Sequence, residues 1–257
     1  MKNKNFRVAI VGCAHGDEVI GKKIIEGLKR FNLPDSVCFF IANPEALAQN
    51  KRFLEKDLNR SFPGDLNGSA EEIIAYNLVK QLSEFNLVLD IHATDSDFFK
   101  TAIITSLDEK TKGILKIVPM ENILLCGKKV FGGNDLITHT RLGVSLEYGP
   151  NKSGENYRMG IEDIMRILIN LGLIAGEKKF YREKNIFNVF GMFRLKDKGK
   201  FLGSDKLKDF YLMPKGEVVG KINDKEVISE EDFYPIFTGE GMYKDGFLMA
   251  RKEYIKI

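Results

Sequence analysis

The sequence predicts an α/β fold with a mostly parallel central sheet flanked by helices, followed by a small β-rich C-terminal domain. Over residues 1–175, apolar strand-like runs alternate with amphipathic helical segments, which is typical of a parallel sheet covered on both faces. After the charged stretch 176–185 the pattern changes to short β-like runs separated by Gly, Asp and Lys. We therefore predict an α/β domain at 1–178 and a β-rich domain at 179–257.

The N-terminal domain begins with an apolar strand at 6–12 that leads into a helix from Glu18 to Arg30. This helix is indicated by Ile20, Ile24 and Leu28, which recur on one face. The elements predicted after it are a strand at Val37–Ile41, a polar loop at Asn43–Asn67, a helix at Ala70–Phe85, strands at 86–91, 102–106, Ile123–Cys126 and 143–147, and a helix at Gly160–Leu173.

The C-terminal domain is predicted from short apolar runs and the turns between them. Pro214–Glu217 and Ile222–Lys225 have the composition of hairpin turns. The predicted strand segments are Phe187–Phe190, Met192–Leu195, Val218–Val219 and Phe247–Met249. We expect this domain to cover the cleft of the first.

Composition excludes several classes of protein. The chain is 44% hydrophobic, with a net charge of +3 and no patch of Lys and Arg of the kind that binds nucleic acid. Three cysteines without CxxC spacing argue against a disulfide framework. No apolar run approaches the roughly 18 residues of a membrane span, and no signal peptide precedes the first strand. We therefore expect a cytoplasmic protein without membrane or nucleic-acid partners.

Ionisable residues follow three of the predicted strands. His15 and Glu18 come after the first strand, His92 ends the strand at 86–91, and Glu147 ends the strand at 143–147. Because open α/β sheets bind ligands at the carboxyl ends of their strands, we expect these side chains to meet. A lone histidine after a strand is more often an ordinary polar residue, but two histidines and a glutamate form the His₂Glu ligand set of a catalytic zinc site.

The polar loop supplies groups that can bind a carboxylate. Arg52, Asn59 and Arg60 lie within it, and a guanidinium can grip a carboxylate through two parallel hydrogen bonds. An Asn-Arg pair alone is uninformative. Beside a zinc site, however, it indicates a substrate that carries a carboxylate.

Taken together, these segments resemble the aspartoacylase/succinylglutamate desuccinylase family of the zinc carboxypeptidase-like superfamily. The resemblance implies His15, Glu18 and His92 as ligands of one zinc ion per chain and Glu147 as general base. It also implies that Tyr243, eight residues after Pro235, reaches the substrate from the second domain. The matching segments are Gly12–Glu18, Arg52 with Asp57–Arg60, Asp90–His92 and Leu146–Pro150.

One departure from the family pattern concerns the substrate. Aspartoacylases bind substrate carboxylates with a Tyr and an Arg about ten residues before the catalytic Glu, where this chain has Ile137. The nearest arginine is Arg141, which we predict as a substrate contact, with His139 as an alternative. The acyl group and the amino acid of the substrate stay open.

The predicted activity is zinc-dependent hydrolysis of the amide bond of small N-acyl amino acids, giving a carboxylic acid and a free amino acid. Zinc lowers the pKa of bound water, Glu147 takes up its proton, and Arg52 stabilises the oxyanion. Asn59 and Arg60 hold the α-carboxylate. The alternatives are a zinc metallocarboxypeptidase acting on short peptides and a non-catalytic zinc-binding relative. The sequence is also compatible with a homo-oligomer.

Overall fold

The structure is a computed structural model that describes residues 6–96, 100–127, 130, 132–151, 154–194, 201–239 and 246–257. Its helices are α1 (Ile20–Leu28), α2 (Pro44–Ala48), α3 (Ala70–Leu82), α4 (Glu109–Leu115) and α5 (Gly154–Leu171). Its strands are β1 (Val8–Gly12), β2 (Val37–Ile41), β3 (Leu87–Ala93), β4 (Lys100–Ile104), β5 (Asn122–Leu125), β6 (Gly143–Tyr148), β7 (Glu183–Arg194), β8 (Phe201–Gly203), β9 (Val218–Ile222), β10 (Lys225–Ile228), β11 (Tyr234–Ile236) and β12 (Gly246–Lys256).

The described strands form a nine-stranded central sheet and a small three-stranded sheet. The central order is β11-β12-β7-β5-β4-β6-β3-β1-β2, and the small sheet has the order β10-β9-β8. Five neighbouring pairs of the central sheet, from β2 to β7, are parallel, whereas β4 runs antiparallel to β6. The prediction of a mostly parallel sheet flanked by helices is confirmed.

Strand β1 is buried on both faces, as expected of a central parallel strand. Val8 and Ile10 pack into the core cluster that contains the buried faces of α1 and α5. Ala9 and Val11 point the other way, into the cluster that contains the buried face of α3. The continuous apolar run of β1 thus places it between two helical layers, and the residues after Gly12 leave from the middle of the sheet.

Some boundaries differ from the prediction. The polar loop at Asn43–Asn67 contains α2, because Asn43 caps it by accepting a hydrogen bond from the Ala46 N–H at 3.1 Å. Helix α4 was not predicted, since it buries few apolar residues and depends on the Asp108 cap, which accepts from Thr111 N at 2.9 Å. Helix α5 is described from Gly154, earlier than predicted.

The C-terminal part forms the small sheet of β8, β9 and β10 and also contributes β7, β11 and β12 to the central sheet. Strand β7 contains the predicted run at 187–190 and residues 192–194 of the run predicted at 192–195, whose last residue lies outside the described part of the chain. It pairs in parallel with β5. The central sheet therefore crosses the predicted boundary at 178/179. The predicted hairpin at Ile222–Lys225 is confirmed: Asn223 and Asp224 have φ of 48° and 64°, as in a type I′ turn, and join β9 to β10.

Among the described residues, no helix combines the length and apolar character needed to cross a membrane.

Candidate active site

The turn between β1 and α1 positions the first two site residues. Cys13 adopts the left-handed conformation with φ of 60°, and the chain passes so close to α1 that a Cβ on Gly12 would lie 2.9 Å from Gly21 Cα. A Cβ on Gly16 would lie 2.2 Å from the backbone of Ala46. Both glycines are thus required by close packing rather than by a positive φ, and the turn holds His15 against the sheet edge.

His15, Glu18 and His92 form a buried cluster whose candidate ligand atoms all lie within 4.8 Å of one another. His15 Nδ1 is 2.5 Å from Glu18 Oε1, and His92 Nδ1 is 3.0 Å from Glu18 Oε2. The Ala93 N–H donates to the same Oε2 at 3.0 Å. The structure therefore brings together the three side chains predicted as metal ligands, at the carboxyl ends of the neighbouring strands β1 and β3.

A carboxylate lies behind each imidazole. His15 Nε2 is 3.0 Å from Asp57 Oδ1, and His92 Nε2 is 2.7 Å from Asp90 Oδ2. This arrangement leaves each Nδ1 facing Glu18, and it matches the carboxylate–histidine pairs that orient histidine ligands in metal sites. The role of Asp57 was missed at the sequence level, although its Asp-Leu-Asn-Arg segment was noted, because its contact with His15 spans 42 positions.

The electrostatics of this cluster favour ionised carboxylates. Burial opposes ionisation of Glu18, but the charges of His15 and His92 outweigh it and hold the pKa of Glu18 well below its usual range. Burial likewise opposes ionisation of Asp57, and its hydrogen bond to His15 outweighs that effect and keeps the pKa of Asp57 low. Glu18 is therefore ionised and can offer a cation an anionic ligand between the two imidazole rings.

Glu147 lies beside the cluster on the adjacent strand. It is the register partner of His92 across β3 and β6, and it is 7% exposed. One cavity is lined by Glu147 together with His15, Glu18 and His92. The predicted base and the predicted ligands thus face the same space.

Arg52, Asn59 and Arg60 line that same cavity. Arg52 is tied to the cluster: its Nη1 is 3.5 Å from Glu18 Oε1, and its Nε is 3.5 Å from Asp57 Oδ2. Asn59 accepts a hydrogen bond from the Leu136 N–H at 3.0 Å through Oδ1, so its Nδ2 is the group that can donate to a ligand. All three polar residues predicted from the loop are therefore at the site.

Arg141 does not join them. It is exposed and borders a different pocket with Phe6, Asn86 and Leu142, at the opposite edge of the sheet from His92. It comes just before β6, whereas Glu147 is near the end of that strand, so its prediction as a substrate contact is wrong. His139 Nε2 donates to Gly133 O at 2.8 Å, which stabilises its own loop. Tyr243 lies outside the described residues.

Sequence reasoning missed part of the cavity wall. Asp135, Ile137 and Phe237 line it, as do Ile103 and Cys126. Burial raises the pKa of the Cys126 thiol, so this side chain is a neutral part of the wall. Phe237 comes from the C-terminal part, where the Gly239 N–H donates to Ser96 Oγ at 3.3 Å, next to the end of β3. No local pattern marks these residues, because only tertiary packing brings them to the site.

The sequence of this chain is similar to those of known amidohydrolases. The profile described as "Succinylglutamate desuccinylase/Aspartoacylase catalytic domain" matches residues 4–128. The chain is 25% identical to the N-acyl-aromatic-L-amino acid amidohydrolase (carboxylate-forming) of Xenopus laevis, over 96% of this chain and 95% of that protein. A probable aspartoacylase of Acaryochloris marina is 36% identical, but that match spans only 39% of each chain.

Solved structures show the same fold. Murine aminoacylase 3 superposes with a TM-score of 0.81 at 20% identity, covering 100% of this chain and 98% of that one. A succinylglutamate desuccinylase/aspartoacylase from Rhodobacter sphaeroides gives a TM-score of 0.76 at 19% identity, covering 98% and 87%. The architecture of this chain is therefore shared with these proteins over nearly its whole length.

Proposed function

We propose that this chain is a member of the succinylglutamate desuccinylase/aspartoacylase family and a zinc-dependent amidohydrolase that cleaves small N-acyl amino acids to a carboxylic acid and a free amino acid. The observation that carries this proposal is the buried His15–Glu18–His92 cluster with Glu147 on the adjacent strand, all lining one cavity. A relative that aligns over nearly the full length carries the name of an N-acyl amino acid hydrolase, which supports the same reaction class.

The chemistry of the donor set fits one zinc ion. Two imidazole nitrogens and a carboxylate converge within 4.8 Å, which is the His₂Glu set of catalytic zinc sites. Asp57 and Asp90 hold the distal ring nitrogens and so fix the orientation of His15 and His92. Bound zinc supplies a Lewis acid that polarises the substrate carbonyl and acidifies water.

Glu147 is the proposed general base. Its carboxylate lines the cavity next to His92, so it can take up the proton of the attacking water and then deliver it to the departing amine nitrogen. The carbon–nitrogen bond breaks as the nitrogen is protonated, and the amino acid leaves as a free amine. Both proton transfers use this one carboxylate.

Arg52 and Arg60 are proposed to bind different parts of the substrate. Arg52 lies against the cluster, 3.5 Å from Glu18, where its guanidinium can stabilise the negative charge that develops on the carbonyl oxygen. Arg60 and Asn59 line the same cavity, and the Arg60 guanidinium and the Nδ2 of Asn59 are proposed to bind the α-carboxylate of the amino-acid half. We also propose Tyr243 as a substrate contact from the C-terminal part, on the family resemblance alone.

The C-terminal part favours a deacylase over a carboxypeptidase. Phe237 lines the cavity, and the contact between Gly239 and Ser96 holds this segment against the loop that follows β3. A carboxypeptidase must admit a peptide chain beyond the scissile bond, whereas a deacylase needs room only for an acyl group. The segment around Phe237 supports the smaller substrate.

Zinc-loaded protein tests this assignment. It should hydrolyse N-acetyl or other short N-acyl amino acids and leave blocked tetrapeptides intact. Mass spectrometry measures the amino acid that is released. The Glu147→Gln variant is the control for contaminating hydrolases. If the zinc-loaded protein instead removes C-terminal residues from the tetrapeptides efficiently and does not deacylate the small substrates, the protein is a carboxypeptidase and the proposal is wrong.

A further inference from the structure

Asp135 places a buried carboxylate in the wall of the active-site cavity. It is 8% exposed and lines the cavity with Arg60 and Glu147. Within the described part of the chain its hydrogen bonds come from Thr138: Oδ1 accepts from the N–H at 3.0 Å, and both oxygens lie 2.9 Å from Oγ1. These donors are neutral, and among the described residues no lysine or arginine forms a salt bridge with this carboxylate.

Asp135 lies beside the subsite for the amino-acid half of the substrate. The Leu136 N–H donates to Asn59 Oδ1 at 3.0 Å, and the Phe62 N–H donates to Asn134 O at 3.2 Å. These two hydrogen bonds hold segment 134–137 against Asn59, one of the proposed α-carboxylate ligands. The side chain of a bound amino acid starts one carbon from that carboxylate, so it extends along this segment.

The charges around this segment do not suit a second substrate carboxylate. Two arginines line the described cavity. Arg52 lies 3.5 Å from the carboxylates of both Glu18 and Asp57, and Arg60 binds the α-carboxylate in the proposed function. A carboxylate on the substrate side chain would therefore meet Asp135, and like charges at close range in a partly dry cavity repel strongly.

The rest of the wall is apolar. Ile103, Ile137 and Phe237 line the cavity, and Ile137 lies two residues after Asp135, where it begins the 3-10 helix Ile137–His139. An apolar side chain of the substrate can bury its surface against them, whereas a charged one would be desolvated without a partner. The apolar wall and the charge of Asp135 thus both favour substrates with uncharged, apolar side chains.

We infer that Asp135 determines substrate specificity: the enzyme takes N-acyl amino acids with uncharged, apolar side chains, and Asp135 excludes those that carry a second carboxylate. This inference rests on the proposed function and adds the substrate class. It assigns aspartate-like and glutamate-like substrates to the rejected group.

Three N-acetyl amino acids test the inference, with kcat and KM measured on the zinc-loaded full chain. N-acetyl-L-leucine should be the best substrate, and N-acetyl-L-asparagine should exceed its near-isostere N-acetyl-L-aspartate by roughly 100-fold in kcat/KM, chiefly through KM. In Asp135→Asn the asparagine-to-aspartate ratio should fall at least about tenfold, because the charge is removed while Oδ1 still accepts from Thr138 N.

Asp108→Asn is the matched control, since Asp108 caps α4 through the equivalent bond to Thr111 N and lies outside the cavity. Its selectivity ratio should equal that of the parent. Equal or better hydrolysis of the aspartate substrate by the parent, or an unchanged ratio in Asp135→Asn, would overturn the inference while leaving the deacylase intact. Hydrolysis of none of the three substrates would instead overturn the proposed function.

Discussion

His92 and Asp90 stand two residues apart on β3, and Nε2 of His92 lies 2.7 Å from Oδ2 of Asp90. Residues i and i+2 of a strand share a face, so this pair forms within a single strand. The contact fixes the imidazole with Nδ1 towards Glu18, 3.0 Å away. A ligand of the proposed metal is thus oriented by its own strand.

Replacing Asp90 should therefore weaken metal binding without removing a ligand. We expect Asp90→Asn to lower zinc affinity about 10- to 100-fold, because the amide keeps an acceptor for His92 but loses the negative charge. Competition with a chromogenic chelator gives the affinity. Parent-like zinc affinity in both Asp90→Asn and Asp90→Ala would show that the pair does not support the metal site.

Removal of a ligand should have a larger effect. His15→Ala, Glu18→Ala and His92→Ala should each lose the zinc that co-purifies with the parent, as measured by inductively coupled plasma mass spectrometry. His139→Ala should retain it, since His139 bonds Gly133 O within its own loop. Full zinc content in His92→Ala would disprove the ligand assignment.

Glu147→Gln should separate binding from chemistry. Glutamine keeps the size of the side chain but cannot take up a proton, so kcat should fall by about 10²- to 10⁴-fold. Zinc content and substrate binding should stay near those of the parent. A kcat within a few-fold of the parent would mean that another group is the base.

The two arginines should differ in which kinetic constant they change. Arg60→Ala should chiefly raise KM, because the substrate carboxylate is present in both the ground state and the transition state. Arg52→Ala should chiefly lower kcat, because the oxyanion exists only along the reaction path. Steady-state kinetics on one good substrate would distinguish them, and the reverse pattern would exchange the two roles.

Lys184 gives a prediction about stability and pH. Its fully buried Nζ donates to Val118 O and Met120 O, and burial lowers the pKa of this lysine from 10.5 to about 8. Below pH 8 the lysine is charged in both the folded and unfolded states. Between about pH 8 and 10.5 the unfolded state holds the extra proton, so the free energy of unfolding should rise with pH.

The measurement is urea unfolding from pH 7.5 to 10 for the parent and for Lys184→Met. The parent should gain stability relative to the variant across this window, by at most about 3 kcal/mol. The exposed Lys225→Met is the control and should run parallel to the parent. A constant difference between parent and Lys184→Met would contradict the shift.

Local patterns in the sequence predicted the strands that carry the chemistry. His15 and His92 follow buried apolar runs, and the parallel pairing of β1 with β3 brings such positions to one edge. The prediction of Arg141 as a substrate contact failed because it was based on the distance along the chain between Arg141 and Glu147. Because β6 is extended over 143–148, Arg141 and Glu147 lie near opposite ends of this strand although only six positions separate them.

The cavity wall was beyond such patterns. Asp135 is indistinguishable in sequence from an ordinary turn-capping aspartate, and Phe237 reaches the site only because β11 pairs with β12 and β12 with β7. The same long-range pairing made the central sheet cross the boundary predicted at 178/179. Contacts between elements distant in sequence decide both features, and periodicity does not report them.

The position of β7 also bears on how the chain folds during synthesis. Strand β7 lies between β5 and β12, although it is made about 60 residues after β5. Until residues 183–194 have emerged from the ribosome, β5 presents a row of unpaired backbone N–H and C=O groups. The nascent chain must therefore hold an open sheet edge while α5 is translated, and that edge closes only when the C-terminal part arrives.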